Sequence, residues 1–322
     1  MRSRSTGGSS FLPRHRSIAM RAVGFSRFGG PEVLEVFEVA VPSPEPGQVL
    51  VKIAAAPVNP VDIGARAGTF AALLPAREHY VPGVEFAGWI EDAGSHVGRA
   101  EIGQPVVGLL PWLSTFEGSY AEYVVADADL VAAAPAGVEL AAAATLPLNA
   151  ITADLAVTAA PGATVLVTGA AGGVGGYAVQ LAAARGAHVI AVAGAADEDL
   201  VGSLGASEFV SRGADLVQRV GSGRVDAVID TALIGAPLLP VVRDGGAFAA
   251  LLPTAAPAPE RGITVTTVQQ APDGRRLAEL VDLVEAGTLT LRVADTYPLG
   301  CRCSINSETA APRACGFAVL WP

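Results

Sequence analysis

The chain reads as an α/β protein in two parts, a compact β-domain followed by a doubly wound parallel sheet. Three observations lead there. Short apolar runs separated by Pro/Gly turns fill residues 20–135. A Gly-rich turn stands between an apolar strand pattern and a helix pattern at 164–184. Strand and helix patterns then alternate as far as 289, as parallel strands joined by crossover helices require.

In the first part, RAVGFSRFGG, VLEVFEVAVPSPEPGQVLVKIAAAPV, VPGVEFAGWIEDAG, QPVVGLL and GSYAEYVVADADLVAAAP carry the strand signals, and their spacing predicts a partly closed β-structure. At 140 the texture changes. LAAAATLPLNAITADLAVTAA (140–160) is Ala-rich and predicts a helix entering a second domain. TVLVTGAAGGVGGYAVQLAAARGAHVIAVAG (164–194) reads strand, turn, helix, strand. VDAVID, GGAFAALL and ITVTTV are further buried-type strands, and DGRRLAELVDLVEAGTL is an amphipathic helix. The expected division is an extension at 1–19, a catalytic β-domain at 20–145, a dinucleotide domain at 146–269 and a return to the first domain at 270–322.

Composition limits the function. The length of 322 residues suits two domains, and 51% apolar residues suffice for their cores. No uninterrupted apolar run approaches the ~20 residues of a membrane helix, so no membrane span is expected. The net charge is −10 and Lys52 is the only lysine, which argues against a nucleic-acid partner. The three cysteines, Cys301, Cys303 and Cys315, crowd one end, so a disulfide framework is excluded and a reducing cytoplasm fits. Residues 1–19 are rich in Arg and Ser and hold no acid. They read as a disordered extension, with a transit peptide as the alternative.

The turn Gly169-Ala170-Ala171-Gly172-Gly173-Val174-Gly175 predicts a dinucleotide site. Gly172 would let the backbone approach a pyrophosphate, and Gly175 would let the helix pack close to the strand. The helix N-terminus offers free N–H groups and a positive dipole end to phosphate. The second strand, HVIAVA, ends at Gly194-Ala195-Ala196 with no carboxylate to grip a ribose diol. That favours NADP(H) over NAD(H), with Arg212 as the candidate partner of a 2′-phosphate. Asp197, Glu198 and Asp199 follow directly and read as first-turn acids of a helix.

The segments AAPVNPVDIGARAG (55–68), VPGVEFAGWIEDAGSHV (81–97), GSYAEYVV (118–125), LPLNAITA (146–153), VLVTGAAGGVGGYAVQLA (165–182) and SLGASEFV (203–210), in this order, resemble the zinc-independent quinone oxidoreductase-like branch of the medium-chain dehydrogenase/reductase superfamily. The resemblance runs from Met20 to about Leu299. It implies a GroES-like β-domain, a Rossmann domain and an active site in the cleft between them. It also implies a homodimer, paired in part through the edge strand near 263–268. Zinc-dependent alcohol dehydrogenases of the superfamily use a Cys and a Gly-His-Glu segment as ligands. Here those positions resemble Asn59 and Val84, which implies that no zinc is held. Without a Lewis acid, the implied substrates are small electrophiles, quinones or α,β-unsaturated carbonyls, reduced by hydride from NAD(P)H. By the same resemblance Asn59 and Asp62 lie near the nicotinamide. Asn59 would donate to the substrate oxygen, Asp62 would orient its neighbours, and Thr152 would face the cofactor. Gly64 stands where some relatives carry a tyrosine, leaving water as the proton donor.

After Leu299 the sequence GCRCSINSETAAPRACGFAVLWP lacks the helix and Arg-Gly-Arg turn of relatives, and only 317–320 could form a last strand. A shifted reading frame near Gly300 and a divergent tail both account for it. Two alternatives therefore stand beside the enzyme: a protein that binds NADPH without turnover, and an inactive product with an altered C-terminus.

Overall fold

A computed structural model describes residues 19–98, 101–299 and 317–321. The extension at 1–18, the three cysteines and most of the atypical tail lie outside the described residues.

The first part is built from β1 (Ala19–Gly24), β2 (Glu35–Ala40), β3 (Gln48–Pro57), α1 (Pro60–Ala67), β4 (Glu85–Ala93), β5 (Pro105–Leu109), α2 (Trp112–Thr115), β6 (Tyr123–Asp127) and β7 (Val131–Ala133). Strands β1 and β2 form a two-stranded antiparallel ribbon. Strand β3 is the spine of a larger sheet. Along one edge it pairs with β4, and β4 leads on through β5 to β7. Along its other edge β6 takes the first half, Gln48–Lys52. The valines and Ile53 of β3 point into a core with Phe86, Ile90 and Leu109.

The Ala-rich stretch expected as one helix is two, α3 (Leu140–Ala143) and α4 (Pro147–Ala156). Pro147 is the reason: its ring cannot continue a helix from the preceding turn, but it is well placed at the first turn of a new one. Helix α4 is buried on nearly every face and lies between the two sheets.

The second part holds β8 (Thr164–Thr168), α5 (Gly173–Ala184), β9 (His188–Ala193), α6 (Glu198–Ser203), β10 (Glu208–Ser211), α7 (Leu216–Val220), β11 (Val225–Asp230), β12 (Val242–Ala250) and β13 (Thr264–Thr267). The six strands are all parallel, in the order β10-β9-β8-β11-β12-β13. In the order of these strands along the chain this is 3-2-1-4-5-6, the doubly wound arrangement with its reversal between β8 and β11. The predicted strands HVIAVA and VDAVID coincide with β9 and β11.

Helix α8 (Gly274–Glu285) then returns to the first part and packs over β7 and α4. Its Leu277, Leu280 and Val281 are buried, the i, i+3, i+4 spacing of a single apolar stripe. Strands β14 (Val293–Pro298) and β15 (Phe317–Trp321) close the larger sheet. Strand β15 runs parallel to β14 and antiparallel to the end of β3, against Ala56 and Pro57. The expected last strand at 317–320 thus occurs. A buried carboxylate, Asp154 of α4, pairs with both Arg185 at the end of α5 and Arg276 of α8, tying three helices at one point.

Leu277 is fully buried beneath α8. Leu277→Ala should lower unfolding free energy by about 2–5 kcal/mol, from lost transfer energy and a residual cavity. Urea denaturation followed by tryptophan fluorescence measures it. A loss below 1 kcal/mol, on the order of a surface change, would show that α8 does not seal this core.

Candidate functional site

The turn after β8 lies where the strand order reverses, and each glycine in it has a different physical task. Gly169 has φ +60°, a left-handed conformation that favours glycine, and a Cβ there would come 2.6 Å from Thr231 Oγ1. A Cβ on Gly175 would sit 2.1 Å from the Gly169 carbonyl oxygen, so α5 can approach the turn only without one. Gly172 differs. Its backbone (φ −78°, ψ −176°) suits any residue, its surroundings are exposed, and a Cβ would meet only the Gly169 oxygen at 3.1 Å. The dihedrals at 172 do not require glycine, although a Cβ would press on the Gly169 carbonyl, and the missing side chain leaves room directly before the N-terminus of α5. Ala170 and Ala171 are buried, and Gly173 and Val174 are half-buried at the helix start.

The floor of this crevice is a polar stitch between β8 and β11. Thr168 Oγ1 donates to Asp230 Oδ1 at 2.6 Å, and the other Asp230 oxygen accepts from Gly235 N at 2.7 Å. Thr231 Oγ1 donates to the Thr168 carbonyl, and Ala232 N donates to Thr168 Oγ1. Both Thr168 and Asp230 are fully buried. The polar ends of two otherwise apolar strands were the available signal for this pair.

At the tip of β9, Arg212 N donates to the Ala193 carbonyl at 2.6 Å, which holds Arg212 beside Gly194. A Cβ on Gly194 would come 2.8 Å from Asp197 Oδ2 and 3.7 Å from Arg212 Nη2. One acid and one base thus face the same tip.

The second half of the site lies between α1, β4 and α4. Asn59 is the N-cap of α1, with Pro60 following and Gly68 ending the helix at φ +88°. Asp62 accepts from Asn59 N (2.8 Å), Gly83 N (3.0 Å) and the Tyr120 hydroxyl (3.1 Å), orienting all three. Asn59 Nδ2 donates to Glu85 Oε1 at 2.7 Å, while its Oδ1 accepts from Asn149 Nδ2 at 3.0 Å. Glu85 Oε2 accepts from Leu148 N at 2.7 Å. Thr152 Oγ1 donates back to the Leu148 carbonyl at 2.6 Å, and its side chain is buried on α4. Asn59 is only 2% exposed. Its amide oxygen joins it to α4 through Asn149, and its amide nitrogen gives one N–H to Glu85 of β4, leaving the second N–H for the expected donor role. Sequence reading passed over Asn149 and Tyr120, because nothing local distinguishes a buried bridging amide or hydroxyl from an ordinary one.

Burial pushes the Asp62 carboxyl up to about 6, against the hydrogen bonds from Asn59, Gly83 and Tyr120. Burial pushes Glu85 up to about 8. The bonds from Leu148 and Asn59 oppose the shift and the neighbouring Asp62 adds to it. Val84, at the position that resembles a zinc ligand, is buried in the apolar core. Among the described residues no three His, Cys, Asp or Glu side chains gather as metal ligands.

The family of alcohol dehydrogenase GroES-like domains matches residues 45–136, and that of zinc-binding dehydrogenases matches 204–301. A chloroplast envelope quinone oxidoreductase homologue of Arabidopsis thaliana is 37% identical over 227 residues, 66% of this chain and 68% of that protein. The chain belongs to the medium-chain dehydrogenase/reductases, among the quinone oxidoreductase homologues. It spans 60% of the length of the spinach chloroplastic quinone oxidoreductase homologue, with 40% identity over 201 residues. Solved structures of these dehydrogenase/reductases superpose along most of the chain. The quinone oxidoreductase of Coxiella burnetii is 26% identical with a TM-score of 0.86, covering 95% of this chain and 100% of that one. Mycobacterial Rv1454c complexed with NADPH is 28% identical with a TM-score of 0.78, covering 94% and 100%. The family fold, with its GroES-like domain and parallel sheet, is thereby shown for this chain.

The two raised carboxyls set a pH dependence whose sign follows from proton linkage. Each binds its proton more tightly folded than unfolded, so its contribution to stability is full below the ordinary carboxylate range and is lost as pH rises through the folded value. Asp62 finishes that loss near pH 6 and Glu85 near pH 8. Thermal melting should therefore weaken between pH 6 and pH 8, and Glu85→Gln should flatten that interval while leaving only the Asp62 part of the slope below pH 6. Equal slopes in both proteins would rule out Glu85 as the titrating group.

Proposed function

We propose that this protein is an NADPH-dependent oxidoreductase that transfers hydride to a small electrophile, a quinone or an α,β-unsaturated carbonyl, without zinc. The observation that carries this reading is Gly172, an exposed glycine whose dihedrals do not require it, standing before a helix N-terminus at the strand-order reversal. The residues fit a dinucleotide: Gly169 through Gly175 would hold the pyrophosphate, and Gly194 with Arg212 the adenine ribose and its 2′-phosphate. Arg212 at the β9 tip supports NADPH, as does the likeness to a protein complexed with NADPH, while Asp197 at the same tip is the group that would favour NADH, which the comparison of the two cofactors tests. When bound, the nicotinamide supplies the hydride.

The chain's own residues position and shield. Thr152 on α4 borders the nicotinamide side of the crevice. Asp62 and Asn59 act as positioning residues, fixing α1, the 83–85 turn and α4 in one arrangement, and the N–H of the Asn59 amide not given to Glu85 is the candidate donor to a substrate oxygen. Asn59 and Val84 supply neither thiolate nor imidazole, which supports chemistry without a bound metal and so substrates that are already electrophilic. The absence of a tyrosine at Gly64 leaves water to deliver the proton. The acidic chain and its cysteine distribution fit the cytoplasm, and no described helix is long and apolar enough to cross a membrane.

NADPH oxidation measured against a panel of quinones and enones tests the reading. Turnover with NADPH exceeding NADH in kcat/KM is expected. Cofactor binding with no turnover on any acceptor would favour the non-catalytic alternative. Gly172→Val should remain folded by thermal melting yet lose NADPH affinity, at about 1.5–3 kcal/mol for each charge-assisted backbone bond displaced. Unchanged affinity in that variant would remove the basis of the assignment.

A homodimer belongs to the same proposal. Strand β13 stands at the edge of the parallel sheet, where an open strand invites pairing with a second copy. Light scattering at micromolar concentration should give twice the chain mass of 32.5 kDa, and a single chain mass would contradict it.

A further inference from the structure

The segment that joins α8 to β14 is fastened to α5. Gln180 of α5 accepts from Thr290 N at 2.7 Å through Oε1, and its Nε2 donates to the Thr290 carbonyl at 3.4 Å. Two residues on, Arg292 Nη2 donates to the carbonyl oxygens of Ala171 and Gly172, each at 3.1 Å. Gly173, Gly176, Tyr177, Gln180, Thr290 and Arg292 line the narrow notch so formed.

We infer that Arg292 is a positioning residue for the cofactor turn, and that Gly176 is a glycine so that the guanidinium can reach it. The inference rests on the dinucleotide reading above. The physical link is the planar trans peptide, in which C=O and N–H point in opposite directions. The Gly172 carbonyl is held by Arg292 and by Gly176 N. The N–H of that same peptide belongs to Gly173, and it is therefore aimed away from Arg292, out of the helix start. The Ala171 carbonyl is held likewise, and its peptide N–H, on Gly172, donates to the Gly169 carbonyl at 2.8 Å. One guanidinium thus sets the orientation of two successive peptides in the phosphate-binding turn. Its charge also offsets the two carbonyl dipoles that converge there.

Gly176 supplies an independent handle. A Cβ there would sit 2.6 Å from Arg292 Nη2, and the flexible end of the arginine would have to move. Alanine is otherwise the better helix residue, by roughly 0.8–1 kcal/mol. Gly176→Ala should therefore hold or raise the melting temperature while loosening cofactor, two effects of opposite sign that a merely structural role would not produce.

The experiment is NADPH titration by fluorescence, beside cofactor-free thermal melting, on the parent, Arg292→Met, Gly176→Ala and the double variant. Arg292→Met should weaken NADPH binding by about tenfold, the scale of one hydrogen bond to a charged group. Gly176→Ala should weaken it in the same direction with no loss of melting temperature. The double variant should bind no worse than Arg292→Met alone, because the new Cβ acts only through the arginine. Parent-like affinity in Gly176→Ala, or additive losses in the double variant, would overturn the inference while leaving the dinucleotide reading intact. A parent that binds no NADPH would overturn both.

Discussion

A carboxyl group with no access to water must find its hydrogen-bond partners within the protein, and Glu85 finds one on each side of the junction between the two sheets. Asn59 approaches from the loop before α1 and the Leu148 backbone from the start of α4. Leaving either donor out would strand a buried polar group at a cost on the order of several kcal/mol. The two halves are therefore required to meet in one register. Asn149 extends the same chain of bonds to Asn59, and Asp62 ties it to Gly83 and Tyr120. The positions of α1, the 83–85 turn and α4 are held by this set of partners together with the packed apolar residues around it.

The parallel sheet solves a different problem. Its central strands β8, β9 and β11 are buried on both faces, and the reversal of strand order at their carboxyl ends leaves the Gly-rich turn between β8 and α5 open. Thr168 and Asp230 make the floor rigid by satisfying each other and the loop at 231–235. Gly169 and Gly175 allow the turn and the close helix, and Gly172 keeps the space in front of the helix empty. Three glycines of one motif thus answer to three constraints, a positive φ, a close backbone contact and an open approach.

The last part of the chain connects these two solutions. Helix α8 covers the first core and reaches Asp154 through Arg276, while the strap that follows grips α5 and its turn through Gln180 and Arg292. Strands β14 and β15 then complete the sheet that β3 begins. The pairing of β15 with β3 needs only an extended segment with free backbone groups, which 317–321 supplies.

Much of this was legible along the chain. The period-2 runs, the Pro/Gly turns and the Gly-rich turn between strand and helix marked both sheets, because backbone geometry imposes those patterns locally. Pro147 escaped the single-helix reading, although its effect is equally local. The partners of Glu85 were not legible, since Asn59, Leu148 and Asn149 meet it only after three separate elements pack. Nor was the grip of Arg292 on a turn 120 residues earlier in the chain. An arginine in a strand-like stretch has the same local appearance whether it faces solvent or two carbonyls. Pattern is set by the bonds between neighbours in sequence, whereas the satisfaction of a buried charge or dipole is set by whatever the folded chain brings within about 3 Å of it.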